Sequence, residues 1–133
     1  MKKILIVEET LSKQQADGGF SLSTFVGSWQ RKDHTPLENR SDGYATGLVA
    51  VVLQEIGVAT DELALRRALD WLRQNQQRNG GWVAYSLNKQ NYLAPGAGRF
   101  MSDAATAYAV LALTRAVDRA ALVSGGTRRA NGS

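Results

Sequence analysis

Four stretches of the chain carry helical spacing of apolar residues, and they alternate in kind. Residues 2–15 place Ile4, Leu5, Val7 and Leu11 on one side of a helix. The second stretch opens at Ser41, a residue suited to capping, with Asp42 where a helix dipole favours negative charge. It runs through Leu48, Val49, Val51, Val52, Leu53 and Ile56 to a stop at Gly57, apolar nearly all round, and so predicts a buried element. Thr60-Asp61-Glu62 opens a third helix. There Leu65, Ala68, Leu69 and Leu72 form a stripe, while Arg66, Arg67, Asp70 and Arg73 face water. Ser102-Asp103 opens the fourth, uncharged from Ala104 to Leu113. The order is outer, inner, outer, inner. This predicts an all-α protein of two repeated helical hairpins.

The opening Lys3-Ile4-Leu5-Ile6-Val7-Glu8-Glu9 also resembles the first strand of a receiver domain. Nothing downstream supports a receiver, so the helix is preferred. The same start is too short an apolar run for a signal peptide, and no stretch is long enough to span a membrane. The compartment is left unknown, with the cytoplasm as the default in the absence of a signal peptide.

Between the helices the chain repeats itself. Gln14-Gln15-Ala16-Asp17-Gly18-Gly19-Phe20 recurs as Gln76-Gln77-Arg78-Asn79-Gly80-Gly81-Trp82, 62 residues later (76 − 14). Glycine supplies the backbone angles for leaving a helix. The glutamine amide carries donors and an acceptor for the free backbone groups at helix ends. The aromatic ring can lie over the turn and fix the angle between outer and inner helix. Gln14, Gly18, Phe20, Gln76, Gly80 and Trp82 are thus read as a structural staple. Repeat 1 covers about 3–57 and repeat 2 about 60–122 of one domain, 1–123. Residues 124–133, made of Gly, Ser, Arg, Asn, Ala and Thr, read as a disordered tail. The long loops at 21–40 and 83–101 are of a length that is usually functional or packed on a neighbour.

Gln-x-x-x-Gly-x-Trp is the motif of the squalene–hopene cyclase family, and both copies resemble it, with Phe20 in place of Trp in the first. The resemblance implies an α/α toroid of the kind shared with protein prenyltransferase β subunits and complement-like thioester domains. About six hairpins close that ring, and this chain would be a partial toroid of two.

The resemblance also implies where chemistry should sit. The cyclases carry an Asp-x-Asp-Asp-Thr-Ala run at the start of an inner helix, whose middle aspartate is the general acid. In the frame set by the Thr, the chain reads Asp42-Gly43-Tyr44-Ala45-Thr46-Gly47 and Ser102-Asp103-Ala104-Ala105-Thr106-Ala107. Tyr44 and Ala104 stand at the acid position. The prenyltransferase zinc site needs Asp, Cys and His, and the thioester domains need a cysteine. This chain has no Cys and one His, His34. No catalytic residue, cofactor or metal site is expected.

Composition changes little. The net charge of +4 and the pI near 9.7 raise nucleic acid as a partner. The arginines instead read as one solvent face (Arg66, Arg67, Arg73, Arg78) and a tail (Arg128, Arg129), so nucleic acid is set aside. Candidate ligand or cavity residues are Asp42, Tyr44, Asp103, Tyr108, Trp29 and His34. Arg31 and Asp33 crowd the first loop, and Tyr85, Asn88, Lys89 and Tyr92 the second. The inner helices are too apolar for two hairpins to cover. Self-association or a larger toroid partner is expected, with an apolar small molecule as a candidate ligand. The alternative is a split portion of an isoprenoid-handling enzyme.

Overall fold

The computed structural model describes residues 2–85, 87 and 97–131, with side chains described for 5–85, 87 and 101–122. Asn88, Lys89 and Tyr92 lie outside the described residues. Four α-helices follow in order: α1 (Lys2–Ser12), α2 (Gly43–Glu55), α3 (Leu63–Gln74) and α4 (Ala97–Asn131), with a short 3-10 turn at Leu22–Phe25. Every described element is helical, as expected for a segment of an α/α toroid. The inner helices α2 and α4 pack most extensively on each other, and α3 lies across both.

The core gathers where these helices meet the two aromatic turns. Phe20, Leu53, Leu65, Leu69, Leu72 and Trp82 are buried together with small residues of α4, among them Ala105, Ala109 and Ala112. Those alanines let α2 and α4 approach closely. At Gly47 the separation is so small that a Cβ would lie 3.0 Å from the Tyr108 Cβ.

Three boundaries differ from the expectation. The cap of α2 is Asp42, whose carboxylate accepts from the Ala45 N–H, while Ser41 turns its hydroxyl to Gln15 and Asp17. Helix α4 begins at Ala97, five residues before Ser102 (102 − 97), and continues to Asn131. The stretch from 124 to 131, expected as a disordered tail, therefore forms its last turns. Extending an existing helix requires far less than starting one, and Gly125 and Gly126 cost only about 1 kcal/mol each within it. Helix α2 is not buried all round either: Val52 and Ile56 are exposed.

Candidate functional site

The first copy of the repeated turn is a closed junction. The Gln14 side-chain NH2 donates to the Gly18 carbonyl at 2.8 Å and to the Ala64 carbonyl, in the first turn of α3, at 2.9 Å. Asp17 accepts the Trp71 indole N–H at 3.0 Å and lies 2.7 Å from the Ser41 hydroxyl. Arg67 donates to the Ala16 carbonyl at 2.6 Å. The turn between α1 and α2 is thereby fastened to the outer helix of the next hairpin.

The second copy repeats the inner half of this arrangement. Gln76 donates to the Gly80 carbonyl at 2.9 Å, and Asn79 accepts the Gly81 N–H as Asp17 accepts that of Gly19. In both copies a threonine hydroxyl from the following inner helix accepts the aromatic residue's own N–H: Thr46 for Phe20 at 2.9 Å, Thr106 for Trp82 at 3.2 Å. Trp82 adds a bond from its indole to the Leu72 carbonyl at 2.7 Å, satisfying a free group in the last turn of α3.

Asp42 is buried beside the first turn, and both of its oxygens are engaged. Oδ1 accepts from the Ala45 N–H at 2.7 Å, and Oδ2 from the Leu22 N–H at 2.7 Å. Burial pushes its carboxyl above the ordinary aspartate range, and the charge of Glu38 adds to the rise. Hydrogen bonds from the Ala45, Leu22 and Tyr44 N–H groups oppose it. The geometry is that of a desolvated helix cap.

The other candidate residues are not drawn into one place. Tyr44 and Tyr108 meet edge to face, with ring centres 5.6 Å apart, and tie α2 to α4. Asp103 is exposed in the second turn of α4, beyond the reach of a helix N-terminus. Trp29 and His34 both line a polar cleft of about 550 Å³ beside the first loop. His34 sits at φ 61°, a left-handed conformation uncommon for a side-chain-bearing residue, and the Trp29 indole donates to the Leu87 carbonyl at 2.9 Å. A separate apolar cavity of about 240 Å³ lies between α1 and α2, with Val7, Leu22, Phe25, Val49 and Leu53 in its wall.

Several contributors carried no sequence signal. Arg31 is fully buried in the first loop, donating to the Pro36 carbonyl at 2.6 Å and pairing with Glu38. Opposite charges seven residues apart in a loop point to no particular partner. Asp17 and Trp71 lie 54 residues apart, and only the fold joins them. Thr46 and Thr106 were legible only as a shared frame. No cluster of His, Cys, Asp and Glu suited to a metal occurs among the described residues, and no described helix is long and apolar enough to cross a membrane.

Hairpins fastened by Gln-x-x-x-Gly-x-aromatic turns define the class, a segment of an α/α toroid. Within it, the chain belongs to the family of the squalene–hopene cyclase C-terminal domain, whose model matches residues 39–127. It is 35% identical over 88 residues to a protein named squalene–hopene cyclase from Bradyrhizobium diazoefficiens. That match takes in 62% of this chain and 13% of the relative, so the chain spans a small part of that protein's length. No solved structure matches the chain significantly.

Proposed function

We propose that this cyclase-like domain segment works by assembly. In this reading α2 and α4 supply part of an apolar inner wall, which further copies or a larger toroid partner complete around an apolar molecule. The segment does not itself start cyclisation. The observation that carries the reading is the apolar surface left uncovered on α4 at Val110, Leu111 and Val117; Val52 and Ile56 of α2 are also exposed, in the wall of the cavity between α1 and α2. A soluble chain gains by covering such a face. The absence of a carboxyl at positions 44 and 104 argues against proton-initiated chemistry, and Asp42 already serves two backbone donors.

A second reading treats the chain as a portion of an isoprenoid-handling enzyme. The apolar cavity between α1 and α2 favours it, since its wall is almost wholly hydrocarbon.

Light scattering on a sizing column, with circular dichroism of the same fractions, tests the assembly reading. A discrete helical oligomer, or a stable complex with a larger toroid partner, is the expected result. A cooperative, helical monomer of 14.4 kDa that binds no partner would sink it.

A further inference from the structure

The polar cleft of the first loop has the lining of a ligand site. Its volume of about 550 Å³ falls within the roughly 300–1,000 Å³ of small-molecule pockets. Trp29, Gln30, His34, Thr35 and Asn39 are in its wall. The side chains of Gln30, His34 and Asn39 have no hydrogen-bond partner among the described residues, and each carries donor and acceptor capacity. Charge is kept out. The loop carries Arg31, Lys32, Asp33, Glu38 and Arg40, yet none of them lines the cleft. Arg31 is buried against Glu38 and the Pro36 carbonyl, and Asp33 holds the Thr35 N–H and hydroxyl at 3.1 and 2.6 Å. The Arg40 guanidinium lies over the Tyr85 ring, 5.2 Å from its centre.

The walls are also fixed in advance. The Trp29 main-chain N–H donates to the Val26 carbonyl at 3.1 Å and its indole N–H to the Leu87 carbonyl at 2.9 Å. Half of the Trp29 surface nevertheless stays exposed. His34 is held at φ 61° between the Arg31 carbonyl, which accepts its N–H at 3.0 Å, and the turn that Asp33 makes with Thr35. The Asn39 carbonyl accepts the Gln15 amide at 2.6 Å. Groups fixed before binding lose less freedom when a ligand arrives. A left-handed backbone at a residue with a side chain persists only where its surroundings determine it, and such residues gather at ligand sites.

We propose that this cleft binds a neutral saccharide. One pyranose ring lies with its C–H face on the Trp29 indole, and its hydroxyls exchange hydrogen bonds with Gln30, His34 and Asn39. The face of an indole is electrically negative and the axial C–H groups of a sugar are slightly positive, so the two attract. A hydroxyl both donates and accepts, which is the capacity that the free amides and the imidazole offer. A phosphate, carboxylate or ammonium group would enter with nothing on the wall to balance it. A hydrocarbon would leave the same polar groups without partners. No lining residue belongs to α2 or α4, so the proposal stands apart from the assembly reading.

The test titrates the full chain with glucose, galactose, mannose, maltose and cellobiose, following tryptophan fluorescence and amide shifts by NMR. Trp71 and Trp82 are 7% and 1% exposed, so a change in emission reports on Trp29. Saturable shifts at Trp29, Gln30, His34 and Asn39 are expected for at least one of these sugars, with a Kd of about 1 mM. Trp29→Ala should weaken that binding at least about tenfold, and Gln30→Ala or Asn39→Ala by roughly three- to tenfold. These side chains are exposed, so dichroism should show an intact fold. His34→Gly should also keep the fold, because glycine takes φ 61° freely, while weakening binding by a similar factor. Glucuronate and glucosamine should bind more weakly than glucose. Flotation with phosphatidylcholine vesicles carrying or lacking a galactolipid separates a lipid headgroup from a free sugar as the source. Absence of saturable change with every saccharide at about 100 mM overturns the proposal. So does binding that Trp29→Ala leaves unchanged, or tighter binding of the charged sugars than of glucose.

Discussion

Trp82→Ala is expected to lower the unfolding free energy by about 3–5 kcal/mol, a large share of the roughly 5–15 kcal/mol that holds an ordinary domain. Trp82 is 1% exposed and stands where three helices meet. Its indole N–H donates to the Leu72 carbonyl in the last turn of α3, and its main-chain N–H donates to the Thr106 hydroxyl of α4. Its Cβ lies so close to the start of α2 that a Cβ at Gly43 would be 2.4 Å away. Removing the ring empties the largest buried side chain and frees a helix-end carbonyl at once. At a urea slope of about 2 kcal/mol per M, the midpoint followed by far-UV dichroism should fall by roughly 2 M. Trp82→Phe should cost only about 1–2 kcal/mol, the share of the lost hydrogen bond. The first repeat supports this ranking, because Phe20 holds the same place with no ring donor. There Thr10, the counterpart of Leu72 at the motif offset, has its carbonyl bonded by the Lys13 N–H instead. A loss below about 1 kcal/mol for the alanine variant would show that the aromatic is not the staple.

Arg31→Met is expected to cost about 3 kcal/mol and to loosen the whole first loop. The guanidinium is fully buried, donates to Pro36, and faces Glu38, which is largely buried too. Taking away one partner leaves a carboxylate in a poorly solvated site, and that, more than the lost attraction, sets the size of the effect. The double variant Arg31→Met/Glu38→Leu should therefore recover most of the loss. Measured as a double-mutant cycle in urea, near-additive losses would contradict the pairing. The consequence reaches the cap of α2. The Glu38 carbonyl accepts from Ser21, and the next residue's N–H, on Leu22, bonds Asp42.

The fold was readable because it is written twice. A seven-residue turn that recurs with its aromatic, between helices of alternating kind, leaves few architectures, and the shared frame of Thr46 and Thr106 lies on both inner helices. Ends of elements were harder. Ser41 and Asp42 are both good caps, and only the fold reveals that Ser41 is drawn away to Asp17 and Gln15. Ser102-Asp103 looks like a helix start, yet a helix already running from Ala97 passes through it. The candidate ligand residues share only a chemical type in the sequence. Tyr44 and Tyr108 did come together, Trp29 and His34 share a cleft, and Asp103 stands apart at the surface. Arg31 reads as one more loop residue, but its burial goes with Glu38 and the Pro36 carbonyl, which no periodicity marks. The contrast between the two turns was invisible in sequence, since Asn79 and Asp17 are near-equivalents and only the presence of α3 separates them.

Native-state amide hydrogen exchange tests the central claim most directly, because the molecule supplies its own control. Gly18 donates to the Gln15 carbonyl at 2.9 Å and Gly80 to the Gln77 carbonyl at 2.8 Å; Gln15 donates to Gly19 at 2.9 Å and Gln77 to Gly81 at 2.8 Å. The hydrogen bonds match, but among the described residues only the first turn lies under a helix: a Cβ at Gly18 would be 2.8 Å from the Arg67 carbonyl oxygen, whereas at Gly80 the nearest atom is 4.0 Å away. After correction for intrinsic rates, Gln15 and Gly18 should exchange at least about tenfold more slowly than Gln77 and Gly80, since local opening of a covered turn must first lift α3. Equal protection of the two turns would mean that α3 does not close the first.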